Sequence, residues 1–244
     1  MSFTRESCYS GRLANQIFRN LAVSFIAKKN NLYVEYSSHD LIKSLGIDLF
    51  IGENKYIHTQ NLTDDNYFNI LDKDKIDYNI DSNYNFFQTK EISYFLYNYL
   101  HSENIKQNIM SMNIFNERYN NNNDIFIHIR LTDACNFNPG LEYYLNTIKE
   151  IKNTECNIYI ASDDINHQII KDILCEYPNS VVLNYNEKET IQFGSTCKNL
   201  ILSQGTFSSM IGYLGFFSTI YYPKIKTIWH GDVFSIEGWK EVYW

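Results

Sequence analysis

The sequence predicts an α/β fold with a parallel, doubly wound sheet, and three observations carry the prediction. From Asp124 onward, short apolar runs of strand length alternate with segments of helical periodicity, the pattern of repeated β-α units. Near the amino terminus, Leu13, Ile17, Leu21, Phe25 and Lys28 fall three to four apart after Gly11 and lead into the apolar run Leu32–Val34, which reads as a helix followed by a strand. Finally, the apolar run Ile125, Phe126, Ile127 passes directly into His128 and Arg130, polar groups at the carboxyl end of a strand, where open α/β sheets present ligand-binding side chains.

In order, the second half reads as strand Ile125–Ile129, helix Leu141–Lys152, strand Asn157–Ala161, helix Ile165–Glu176, strand Val181–Leu183 and a helix near Lys188–Phe193. A strand at Asn199–Leu202, a helix starting near Thr206 and a strand at Thr219–Tyr222 complete the repeat. The first half contains a polar, weakly periodic stretch from about Gly52 to Asn85. This contrast predicts two domains, 1–120 and 121–244. The hinge is expected at Asn120–Asn123, because Asn tolerates turn conformations and the run separates the helical pattern Ile105–Tyr119 from the strand at Ile125.

Composition bounds the function. The chain has 244 residues, 44% of them hydrophobic, with 20 Tyr and 16 Phe, enough to bury one large core or two small ones. A net charge of −7 without a basic stripe argues against a nucleic-acid surface, which needs clustered Lys and Arg, whereas a single pyrophosphate needs far less positive charge. The five cysteines (Cys8, Cys135, Cys156, Cys175, Cys197) are scattered and lack the close pairs of a zinc or redox site, which predicts reduced thiols in a cytoplasmic protein. No apolar stretch approaches bilayer-spanning length and no signal peptide is read, so a soluble chain without membrane insertion is expected.

Four segments concentrate chemistry. His128 to Asp133 form H-x-R-x-x-D, in which Arg130 offers a planar, permanently charged fork suited to phosphate oxygens. His128 can bond a phosphate, orient Arg130 or serve as a buried strand histidine, and Asp133 can pair with Arg130 or with a substrate hydroxyl. Gly11-Arg12-Leu13-Ala14-Asn15-Gln16 opens the first helix, whose free amides favour an anion, although Gly11 can simply make a turn and Asn15 and Gln16 can cap or face solvent. Ser162, Asp163 and Asp164 follow an apolar strand. Asp163 or Asp164 can accept bonds from a base or ribose, while Ser162 or Asp163 can cap a helix from Ile165. Ser203 through Ser209 pass from a strand through Gly205 into a hydroxyl-rich helix start suited to phosphate oxygens.

Taken in order, these segments resemble the motifs of the alpha-1,2-fucosyltransferase family. Gly11 to Phe18 is similar to its G-x-L-G-N-Q-hydrophobic-F block, with Ala14 for the second glycine. His128 to Asp133 resembles its H-x-R-R-x-D block, Ser162-Asp163-Asp164 its S-D-D segment, and Ser203 to Tyr213 its N-S-T-F-S-W-W-x-A-Y block. Leu131 stands in place of the second arginine, Ser209 and Met210 replace two tryptophans, and Gln204 stands where serine is expected.

The resemblance implies a GT-B arrangement of two Rossmann-like domains, the donor bound mainly by the carboxyl-terminal one. It implies inverting transfer of fucose from GDP-fucose to a glycan hydroxyl, alpha-1,2 to galactose, with no obligatory metal and no further cofactor. It also implies Arg130, with His128 and Asp133, at the reacting bond, and donor contacts from Arg12, Asn15, Gln16, Ser162, Asp163, Asp164, Ser203, Thr206, Phe207 and Ser208. The expected partners are a nucleotide sugar and a glycan acceptor; the oligomeric state is left open. The alternatives are transfer of another 6-deoxysugar such as rhamnose, which the changes at Leu131, Ser209 and Met210 keep open, and a noncatalytic nucleotide-sugar or glycan-binding module. Asp72-Lys73-Asp74 matches the metal-holding D-x-D pattern but lies in the irregular polar stretch, where a solvated charge run is expected. No residue is distinguished as the base for the acceptor.

Overall fold

The computed structural model describes residues 11–83, 85–133, 135–151, 156–225 and 231–244, with the backbone alone for Thr4, Arg5 and Cys135. The chain divides into two compact units, residues 1–108 with 230–233 and residues 109–229 with 234–244. The boundary comes before the Asn120–Asn123 run expected to form the hinge. That run lies inside the second unit because Asn122 is bonded into it: its amide donates to Arg118 O and Thr196 O, and its carbonyl accepts from Asp124 N and Lys198 N.

The first unit contains β1 (Thr4–Arg5), α1 (Leu13–Asn30), β2 (Val34–Glu35), α2 (His39–Lys43), β3 (Thr59–Asn61), α3 (Tyr67–Leu71), β4 (Asn79–Asp81) and α4 (Lys90–Leu100). The division falls within α5 (Glu103–Met112). Helix α1 is buried around most of its circumference, not only on the predicted stripe: Ala14, Ala22, Val23, Ile26 and Ala27 are buried along with Leu13, Ile17 and Leu21. Its small residues let other elements approach closely, and Phe25 meets Phe95 and Tyr99 at 4.7 Å between ring centroids. Asn31 ends the helix in the left-handed conformation, its N–H bonded to Ala27 O. Arg19, 0% exposed, donates to Asn85 O, Asn83 O and Ser82 Oγ, so a buried cation ties Ser82, Asn83 and Asn85 to α1. Among the described residues the strands here are short and pair in parallel as β1-β2 and β3-β4, so a larger doubly wound sheet is described for the second unit alone. The polar stretch after Gly52 supplies too few apolar residues for longer strands.

The second unit is an α/β layer structure around a six-stranded, wholly parallel sheet. Its elements are β5 (Ile125–Ile129), α6 (Leu141–Ile151), β6 (Ile158–Ser162), α7 (Gln168–Glu176), β7 (Val181–Val182), α8 (Glu187–Gly194), β8 (Asn199–Ile201), α9 (Thr206–Tyr213), β9 (Thr219–Pro223) and β10 (Lys240–Val242). The strand order is β10-β9-β8-β5-β6-β7. Central β5 is buried at all five positions, as a strand covered on both faces must be. Period-two alternation splits it: Ile125, Ile127 and Ile129 enter a core with Tyr143, Tyr144, Ile148, Ile170 and Ile173 from α6 and α7. Phe126 meets Phe193 of α8 on the other face, and His128 meets α9 there. Helices therefore cover both faces, the doubly wound arrangement that the sequence predicts and one that is Rossmann-like.

Three elements differ from expectation. The helical pattern Ile105–Tyr119 ends as α5 at Met112, with Asn116–Arg118 a separate 3-10 turn. Helix α7 begins at Gln168, capped by His167, whose Nδ1 accepts from Ile169 N, because Ser162 and Asp164 are bonded to each other in a turn instead. Strand β10 was not predicted; its residues are exposed or half-exposed at a sheet edge, so no apolar alternation marks it. Lys152, the predicted end of α6, lies outside the described residues, as does Cys8. Cys156, Cys175 and Cys197 are free thiols. Among the described residues no helix is long and apolar enough to cross a membrane.

Candidate functional site

The strand order of the second unit reverses between β5 and β8. From β5 the chain adds β6 and β7 on one side, then returns through α8 to place β8 on the other, so β5 and β8 flank the topological switch point, whose carboxyl edge is where open α/β sheets bind ligands in a crevice. The loops leaving these two strands begin at Arg130 and Leu202, and with the end of β5 and the start of α9 they carry His128–Asp133 and Ser203–Ser209, two of the four segments singled out from the sequence.

His128 and the β8-α9 loop form a closed hydroxyl network. His128 Nδ1 lies 2.5 Å from Ser208 Oγ and 3.3 Å from Ser203 Oγ, and the two hydroxyls are 3.0 Å apart. Ser203 Oγ also accepts the Arg130 N–H at 3.2 Å. Phe207 sets its ring 5.1 Å from the imidazole. Burial pushes the His128 pKa from 6.5 down to about 4, with Asp163 opposing the shift and Arg130 adding to it. The imidazole is neutral at physiological pH. Tyr143 steadies the loop from beneath by donating to Leu202 O at 2.7 Å.

Arg130 leans across the crevice. Its Nε and Nη2 grip both oxygens of Asp133 at 3.0 and 2.8 Å, so Asp133 pairs with Arg130 as one of its two expected roles had it. The remaining corner, Nη1, lies against Gly205. Gly205 has φ 120° and ψ 157°, a region that is nearly glycine-only, and it starts α9 without a side-chain cap. The positive end of the α9 dipole and the guanidinium therefore sit together. Thr206 and Ser208 are buried at this helix start, and Ser209 turns inward to bond Thr206 O.

Asp163 works from the end of β6. Its carboxylate accepts from Leu131 N at 2.7 Å and Thr132 Oγ1 at 2.6 Å, bridging β6 to the turn that carries Arg130. Burial raises its pKa, but the bonds from Thr132 and Leu131 outweigh burial and leave it below the ordinary carboxylate value. Ser162 Oγ accepts Asp164 N, and Asp164 Oδ1 accepts Asn166 N.

Arg12, Asn15 and Gln16 belong to the first unit, at the start of α1. Arg12 occupies the cap position without a side-chain cap bond, Gln16 Nε2 donates to Gly11 O, and Asn15 Oδ1 accepts from Gln88 Nε2. Gln88 was not singled out by the sequence, nor was Asn138, whose amide bonds Arg130 O and Tyr144 OH. Both act across long sequence separations or irregular loops, where no spacing announces them. Asp72, Lys73 and Asp74 are exposed at the end of α3, Lys73 bonding Tyr78 OH. Among the described residues no group of three or more His, Cys, Asp or Glu could hold a metal ion.

The positions at which the motifs depart from the resembled pattern are packed ones. Leu131 is 4% exposed in the α6–α7 core, and Ser209 and Met210 are 0% and 1% exposed. Compared with protein-family models and with curated proteins, the chain matches none.

Proposed function

We propose that the switch-point crevice binds the diphosphate of a nucleotide sugar and that the chain is an inverting, GT-B type glycosyltransferase moving fucose from GDP-fucose to a glycan hydroxyl, alpha-1,2 to galactose. The observation that carries this reading is the meeting of Arg130 Nη1 and Gly205 at the start of α9. As the sugar-phosphate bond lengthens, negative charge grows on the departing diphosphate while the sugar becomes oxocarbenium-like. Positive charge already fixed beside those oxygens stabilises the transition state more than the ground state. Asp133 holds the guanidinium in plane, Asp163 fixes the turn beneath it, and the neutral imidazole of His128 adds a hydrogen bond without adding charge.

The ordered motifs described above support GDP-fucose as the donor, and the burial of Leu131, Ser209 and Met210 gives each of those replacements a packing role. Thermal unfolding with GDP, UDP and dTDP, for the wild type and Arg130→Ala, tests the reading. A nucleotide at a hundred times its dissociation constant adds about 2.7 kcal/mol, a rise of roughly 5 to 10 °C for a chain this size. A GDP-selective rise lost in the variant supports the proposal, and release of free fucose from GDP-fucose then separates an enzyme from a binding module. Selectivity for UDP or dTDP moves the donor to another sugar such as rhamnose, and no response to any nucleotide removes the reading.

A further inference from the structure

We infer that Ser208, backed by Ser203, fixes His128 as the tautomer protonated on Nε2, making it a neutral hydrogen-bond donor at the carboxyl end of β5. The argument is a count of protons. Among the described residues, the side chains of Ser203 and Ser208 bond only each other, His128 Nδ1 and the Arg130 N–H. Ser203 and Ser208 are both 1% exposed, so each hydroxyl proton needs an acceptor within this set. If Nδ1 carried the ring proton, it would donate to Ser208, Ser208 would donate to Ser203, and the Ser203 proton would have nowhere to go. With Nδ1 bare, Arg130 N–H donates to Ser203, Ser203 to Ser208 and Ser208 to Nδ1, and every group is matched. The neutral imidazole then carries its proton on Nε2, the ring edge away from the serines, which bonds no group among the described residues. The depressed basicity of the ring agrees, since a second ring proton would also have to be buried. Ser203 and Ser208 are thus positioning residues. They act through His128, and Ser203 couples the imidazole to the backbone that carries Arg130.

The tautomer assignment rests on geometry alone; only the identity of the group that Nε2–H meets, a diphosphate oxygen, rests on the proposed function. Two-bond 1H–15N correlation spectra of histidine-labelled protein without ligand, with the His128→Gln spectrum identifying the signal, read the tautomer directly at neutral pH. An Nε2–H pattern for His128 is expected; an Nδ1–H pattern or a cationic ring overturns the inference. In Ser208→Ala the signal is expected to shift toward mixed tautomers and GDP affinity to fall about three- to tenfold, as for one neutral hydrogen bond. Ser208→Thr, which keeps the hydroxyl, restores both. An unchanged tautomer in Ser208→Ala overturns the serine's role. Absence of GDP binding with the Nε2–H pattern intact removes the proposed ligand and leaves the tautomer assignment standing.

Discussion

A Cβ built on Gly205 would lie 2.7 Å from Nη1 of Arg130. The missing side chain at the start of α9 is what lets the guanidinium reach the helix end, so two residues 75 apart in sequence share one corner of the crevice.

Gly205→Ala therefore meets two obstacles: a backbone conformation that costs on the order of 1–3 kcal/mol for a residue with Cβ, and a displaced guanidinium. The expected outcome is a lower urea midpoint together with loss of any GDP-induced thermal shift. A variant of wild-type stability and nucleotide response would show that this contact does not matter.

Replacement of Arg130 separates its charge from its shape. Arg130→Ala is expected to lower transfer by roughly two to three powers of ten, the usual effect of losing one preorganised charge-stabilising contact. Arg130→Lys should recover little of it, because an ammonium cannot grip both oxygens of Asp133 while reaching Gly205. Initial rates of GDP release check both variants, and full activity in either contradicts the assignment.

The pH dependence of stability follows from His128. Its folded pKa, about 4, lies below the ordinary 6.5, so between these values the unfolded chain takes up a proton that the folded one refuses. Above pH 6.5 both states hold a neutral ring and the contribution is complete; it is lost as pH falls from 6.5 toward 4. The full shift corresponds to about 3 kcal/mol. Asp163, whose pKa is depressed, adds stability above its ordinary 3.8 that is lost only at still lower pH, so the two windows separate. Urea unfolding of wild type and His128→Gln from pH 4.5 to 7.5 should show a steeper slope for the wild type. Parallel curves would contradict the buried neutral ring.

Leu131→Arg would restore the arginine of the resembled pattern at a position that is 4% exposed in the α6–α7 core. Burying an unpaired cation there is expected to cost about 3–5 kcal/mol and to add nothing to GDP affinity. Denaturation and nucleotide titration measure the two effects independently, and tighter GDP binding in a stable variant would place residue 131 in the crevice after all.

Much of this was legible locally. The alternating runs after Asp124 announced the parallel sheet, and the strand ending in His128 and Arg130 announced its carboxyl edge, because burial of β5 demands apolar residues and the polar pair marks where burial stops. The first unit was less legible. Its strands of two or three residues are too short to carry a period, and Arg19 looks like any surface arginine until its carbonyl partners are seen.

The sequence by itself determined the α/β class of the second unit, the helix start at α9 and the identity of the groups that can meet an anion, all consequences of neighbours a few residues apart. Only the tertiary structure decided which of them meet. It brought β8 beside β5, set Gly205 against Arg130, bonded Asp163 to the Leu131–Thr132 turn, and gave Ser203 and Ser208 to His128. These contacts join segments about 30 to 80 residues apart. Such pairings depend on the strand order, and nothing in the local spacing of residues encodes that order.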